Sequence, residues 1–150
     1  MNQLKKDLYQ QCLAFVEARI RPAEQAIISA REAAADDTKS SAGDKYETTR
    51  EMMQQEISRN QMQLMEARKL KHALSQISPD KQHDTVSNGS IVITDQGNFY
   101  LAISAGQLKR DTETYFAVSP YSPIGKKLLG LKVGDSFEFN GKGYVVRELG

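Results

Sequence analysis

The sequence has a single cysteine, no tryptophan, only four prolines and no long apolar run. Cys12 alone cannot close an intrachain disulfide, so a reducing, cytoplasmic setting is expected. No stretch approaches the roughly 20 apolar residues that a membrane-spanning helix needs, and no membrane association is expected. The opening residues MNQLKKDLYQQ contain neither an apolar centre nor a small-residue cleavage site, so they do not read as a signal peptide. Charge of one sign is also missing, because the net charge is only +1. Wrapping nucleic acid takes many clustered cations whose binding releases counterions, and this balance offers no such footprint. There is no glycine-rich phosphate loop, and no serine sits in a glycine-flanked elbow with a histidine to activate it. His72 and His83 have no metal-ligand spacing to each other or to Cys12, and both read as surface residues. No catalytic residue and no stably bound metal or cofactor is expected of the isolated chain.

What is present is unevenly distributed. Residues 3–77 hold one proline and one glycine, whereas residues 78–150 hold three prolines and nine glycines. That shift divides the chain near residue 80. The domains expected are an N-terminal helical hairpin over 1–78, a linker over 79–89 and a β-rich domain over 90–150.

The first part is patterned for helix. Leu13, Val16, Ile20, Ala23, Ile27, Ala30 and Ala34 recur at alternating spacings of three and four, a heptad seam. Leu4, Leu8, Cys12 and Phe15 extend an apolar face towards the start, with Cys12 as a packed thiol. Pro22 removes one backbone hydrogen bond and crowds the preceding turn. The seam keeps its phase across it, so a kink within one helix is expected. A second helix is expected from about Asp44 to Ile77, with Tyr46, Met53, Ile57, Leu64, Ala67 and Leu74 in one heptad frame. Arg50, Asn60 and Lys71 fill its other seam positions, which weakens that stripe. Between the helices, Gly43 suits a tight backbone position, and Ser40, Ser41 and Asp44 suit capping. Asp44 followed by Glu47 resembles a capping box. So short a connection makes the helices antiparallel. At 1.5 Å per residue each arm is on the order of 50 Å long, so its far end is expected to project.

The second part alternates as strands do. Residues 90–95 and 98–104 flank the turn Gln96-Gly97, 114–119 is a third candidate, and 136–140 and 143–149 form a closing hairpin. Between them 122–130 reads as a short helix, with Pro123 at its first position and Gly130 at its stop. Five antiparallel strands and one short helix make a compact module, so the expected fold class is α+β.

Charge is local even though the total is nearly balanced. Residues 32–51 carry Glu32, Asp36, Asp37, Asp44, Glu47 and Glu51 against three bases. Residues 59–72 carry Arg59, Arg68, Lys69 and Lys71 against Glu66. Carboxylates at the end of a long hairpin can complete the oxygen shell of a Mg²⁺ held elsewhere, and a second metal can activate water for phosphodiester hydrolysis.

The run SPIGKKLLGLKVGDSFEFNG (122–141) resembles a signature of the Gre family of RNA-polymerase secondary-channel factors. It has the serine-proline helix, a leucine pair ending in glycine, then a basic residue, Val-Gly-Asp and a closing hairpin. The order of hairpin, linker and β domain is similar along essentially the whole chain. In the hairpin connection, Asp37, Lys39 and Tyr46 match the family's tip if two residues are inserted, and the second acid of that tip is replaced by Ser40.

The resemblance implies an FKBP-like C-terminal domain and a factor that binds bacterial RNA polymerase through the secondary channel. It implies that Asp36, Asp37, Asp44 and Glu47 form an acidic tip able to recruit Mg²⁺ within a polymerase complex. Ser122, Pro123, Ile124, Gly125, Lys126 and Lys127 are then the candidates for docking to the polymerase. Such a factor is monomeric, meets nascent RNA only indirectly, and modulates elongation or stimulates the polymerase's own transcript cleavage. The alternative is a coiled-coil scaffold of the same architecture without cleavage activity, using the weak seam at Arg50, Asn60 and Lys71 to hold another helix.

Overall fold

The computed structural model describes residues 1–37 and 43–150, and the side chains of 1–35 and 48–150. The fold is α+β. Helices α1 (Asn2–Asp37) and α2 (Gly43–Ser75) precede strands β1 (Ile91–Thr94), β2 (Gly97–Leu101), β3 (Gly106–Arg110) and β4 (Glu113–Val118). Then come helix α3 (Pro123–Leu128) and strands β5 (Ser136–Phe139) and β6 (Lys142–Leu149). Packing groups the chain into two units: Val16–Lys71, and Met1–Phe15 together with His72–Gly150.

The Val16–Lys71 unit is an antiparallel helical hairpin. Glu17 pairs with Lys71 at 2.9 Å and Glu24 with Arg68 at 3.2 Å, so partner numbers on α2 fall as those on α1 rise. Val16, Ile20, Ala23, Ile27 and Ala30 are buried on α1, and Ile57, Leu64 and Ala67 on α2. Each of the larger aliphatic side chains contributes about 1.5–3 kcal/mol by leaving water. α1 runs through Pro22 as one helix. The weak seam positions on α2 are accommodated in different ways. Lys71 reaches Glu17, Asn60 bonds back to the Glu56 carbonyl at 2.9 Å, and Arg50 is exposed.

The other unit is built on a six-stranded sheet in the order β3-β4-β2-β1-β6-β5. The expectation of five antiparallel strands needs two corrections. β3 is an additional strand, and β2 runs parallel to β4, with Phe99 opposite Phe116 and Tyr100 opposite Ala117. β3 escaped the alternation pattern because GQLKR buries only Leu108. It turns into β4 through Asp111, whose φ of 56° places a non-glycine residue in the left-handed region.

Both faces of the central strands are covered. Val92, Phe99, Leu101, Leu128, Val146 and Val86 form one core cluster, with Ile124 and Phe137 packed against it. On the opposite face Tyr100 lies near Cys12 and Tyr9 of α1, both of which add to the upward shift of its pKa. The Tyr9 hydroxyl donates to the Leu74 carbonyl at 3.2 Å, which ties the first turns of α1 to the end of α2. The β3 edge is closed by Gln11. Its amide nitrogen donates to the Lys109 carbonyl at 2.9 Å, and its oxygen accepts from the Lys109 N–H at 3.3 Å. A side-chain amide thus completes the ladder where an open edge would invite another strand. Arg110 pairs with Asp7 beside it at 3.0 Å.

Lys5 is fully buried although no apolar pattern marks it. Its ammonium donates to the Lys81 carbonyl and lies 3.2 Å from Nδ1 of His83. Desolvation lowers the pKa of Lys5. Desolvation lowers that of His83 too, with the Lys5 and Lys81 charges adding to the effect and a hydrogen bond to Gly150 opposing it. The neighbouring residues Lys6 and Asp80 form an exposed pair 3.5 Å apart. A base whose pKa is depressed on folding binds fewer protons in the native state than in the unfolded one, so stability rises with pH through that interval. Stability is therefore expected to fall as pH drops through about 6.5, the ordinary range of His83. Urea midpoints between pH 5 and pH 8 measure this, and Lys5→Met should flatten the acid-side loss by removing the neighbouring cation. An unchanged slope in that variant would assign the depression of His83 to its burial and not to the Lys5 charge.

Candidate functional site

The four tip candidates fall on helix ends. Asp36 and Asp37 close α1, and Asp44 and Glu47 belong to the start of α2, which begins at Gly43. The backbone therefore brings all four to the closed end of the hairpin. Their side chains lie outside the described residues, as do Tyr46 and the capping roles of Ser40, Ser41 and Asp44. The last turn of α1, which Asp36 and Asp37 close, holds no basic residue. Just below the tip, Arg31, Ala34, Arg50, Met53, Gln54 and Ile57 line a cavity of about 400 Å³.

Most of the basic cluster is neutralised in place. Arg68 and Lys71 are held by Glu24 and Glu17 across the hairpin, and Lys69 meets Glu66 at 3.4 Å on its own helix. The Lys71 bond lowers the pKa of Glu17. Arg59 has no ion-pair partner among the described residues and lines a wide groove of about 890 Å³ with Ala18, Pro22, Ala26, Gln63 and Ala67. Exposed pairs of this kind stabilise little, so the cluster shapes the surface more than it holds the fold.

The six docking candidates divide by their surroundings. Ser122 caps α3: its Oγ accepts from the Gly125 N–H at 3.1 Å and donates to the Ser119 carbonyl at 2.6 Å. Pro123 occupies the first turn, where a missing N–H costs nothing. Gly125 is buried, and a Cβ added there would lie 2.0 Å from the Ser119 carbonyl oxygen. Ile124 packs against the core cluster. These four are explained by the fold itself. Lys126 and Lys127 are exposed, and Tyr121, Leu129 and Val133 on the same stretch are 83%, 41% and 58% exposed. The exposed apolar side chains were missed in the sequence, because alternation cannot tell an outward aromatic from an inward one in so short a segment.

No group of three or more histidine, cysteine, aspartate or glutamate residues among the described residues is arranged to hold a metal ion. Cys12 is buried, and desolvation pushes its thiol up to about 12, so it stays protonated. His72 is exposed, whereas His83 is half-buried against Lys5. Lys126 and Lys127, with Tyr121, Leu129 and Val133, make the stretch around α3 exposed, cationic and partly apolar. No protein-family model matches the chain, and no curated protein matches it.

Proposed function

We infer that this chain is a Gre-type regulator of bacterial RNA polymerase. Its hairpin inserts into the secondary channel, and its FKBP-like sheet unit docks at the channel mouth through Lys126, Lys127 and the apolar side chains beside them. The observation that carries this reading is the hairpin itself. Two helices of 36 and 33 residues close on each other with four carboxylate residues at the closed end. That corresponds to about 50 Å of helix in each arm, tipped by oxygen ligands suited to Mg²⁺. The chain supplies no complete active site, so any RNA cleavage belongs to the polymerase, and Mg²⁺ is recruited only within that complex. It works in the cytoplasm as a monomer on the enzyme and meets nascent RNA only indirectly.

A gel shift with bacterial core polymerase tests the partner; absence of a complex at micromolar protein removes the reading. Backtracked elongation complexes test the tip. Asp37 aligns with the first acid of the family tip, and Ser40 stands where the second is expected. Losing one charge-assisted contact costs about 1.5–3 kcal/mol, so Asp37→Asn is expected to lower cleavage about tenfold or more. Ser40→Glu is expected to raise it. Equal activity in both variants and the wild type would mean that the chain acts by occupying the channel alone. A coiled-coil scaffold remains the second reading, favoured by the wide groove along the hairpin, and a tight homodimer that excludes polymerase would select it.

A further inference from the structure

One face of α2 is left uncovered by its own hairpin. Glu56, Arg59, Gln63, Glu66 and Lys69 are all exposed and recur at three- and four-residue spacings, which places them on one stripe, and the exposed Met62 borders it three residues from Arg59 and four from Glu66. The helix buries Ile57, Leu64 and Ala67 on a different side. Along the stripe runs the groove of about 890 Å³, walled on α1 by Ala18, Arg19, Pro22, Ala23 and Ala26. Met62, 65% exposed, stands in its wall. Small residues let a second helix approach closely, and an unbranched methionine adapts to fill what remains.

The order of charges says what fits there. Reversing the stripe about the point between Met62 and Gln63 brings Arg59 onto Glu66 and Glu56 onto Lys69. Each cation is matched by an acid at the same distance on the other side of that point. A twofold axis through it therefore sets two α2 helices antiparallel with every charge of the stripe opposed by its opposite. The contact is isologous, the same patch serving both copies.

We propose that this face is a reversible dimer interface between two copies of this chain, paired antiparallel about Met62 and Gln63. Arg59 meets the partner's Glu66, and Glu56 meets the partner's Lys69. The Glu66–Lys69 pair within one helix is exposed on both sides, so sharing it with the partner costs little. Solvated charge pairs and one methionine per copy give a weak association, in the micromolar range or above, which dissociates on dilution. Such a dimer covers a face of the hairpin, so it would compete with insertion into a channel. The dimer itself does not depend on the polymerase reading.

Sedimentation velocity on the full chain, from micromolar to submillimolar concentration, tests the interface with Arg59→Glu, Glu66→Arg and the double reversal R59E/E66R. All of these substitutions fall on exposed positions, and an unchanged far-UV spectrum and melting temperature confirm the fold. Each single reversal sets like charges opposite each other twice per dimer and is expected to weaken association about tenfold or more. The double reversal restores opposite charges and is expected to recover most of the wild-type association. Raised salt should weaken the wild-type dimer. A wild type that stays monomeric throughout, single variants that associate as well as wild type, or a double variant no better than the singles would each overturn the proposal.

Discussion

Gly125→Ala is expected to cost about 3 kcal/mol or more of stability. The added Cβ would sit 2.0 Å from the carbonyl oxygen of Ser119 and 2.9 Å from both its carbonyl carbon and the Ser122 Oγ. Two of those atoms are backbone, so the clash cannot be relieved by turning a side chain. The Ser119 carbonyl already accepts from the Ser122 N–H at 3.1 Å and from its hydroxyl at 2.6 Å. Moving it breaks the cap of α3. Overpacking costs about 1–3 kcal/mol and a lost N-cap about 0.5–2 kcal/mol, and here they act together. The displaced helix carries Leu128, which is fully buried in the core cluster. Urea midpoints for Gly125→Ala and for Ser122→Ala, which removes only the cap, separate the two contributions. A loss below about 0.5 kcal/mol in Gly125→Ala would show that the turn has slack. Lys126→Ala and Lys127→Ala lie on exposed positions and are expected to leave the midpoint unchanged. A polymerase-binding defect in those variants would then report docking, whereas one in Gly125→Ala would report folding.

Tyr100→Phe is expected to stabilise the protein by about 1–3 kcal/mol, the usual cost of a buried hydroxyl without a partner. Tyr100 is fully buried, and its hydroxyl has no hydrogen-bond partner among the described residues. Burial is the largest cause of its raised pKa, followed by Cys12 and Tyr9, and neither of those side chains relieves it with a hydrogen bond. Phenylalanine keeps the ring that fills the space between the sheet and the first turns of α1. Thermal and urea unfolding of the single variant measure the effect. A destabilised variant would mean that the hydroxyl is satisfied in solution.

The two helices were legible because burial along them is periodic: Val16, Ile20, Ala23, Ile27 and Ala30 hold the heptad phase and are the residues buried. α3 was legible too, because Ser122, Pro123 and the glycine stop are local signals acting within one turn. Strand β3 was not, since an edge strand with one buried residue carries no alternation. The parallel pairing of β2 with β4 was not either. Strand order depends on which surfaces meet after β3 folds back, and no local residue preference encodes it. Asp36, Asp37, Asp44 and Glu47 fall on the ends of α1 and α2 that adjoin the connection, and their side chains lie outside the described residues.

By itself, then, the sequence determined the elements whose cause lies within a few residues: the two helices of the hairpin, the capped short helix and the closing β-hairpin. Only the tertiary structure decided that Met1–Phe15 pack with the sheet unit. The same packing brings Gln11 to the edge of β3 and makes Lys5 a buried cation beside His83. Those contacts join residues more than 70 positions apart, as Lys5 and His83 are. A lysine reads as solvent-exposed in any local window, and it is buried here because a distant carbonyl and imidazole replace the water it gives up.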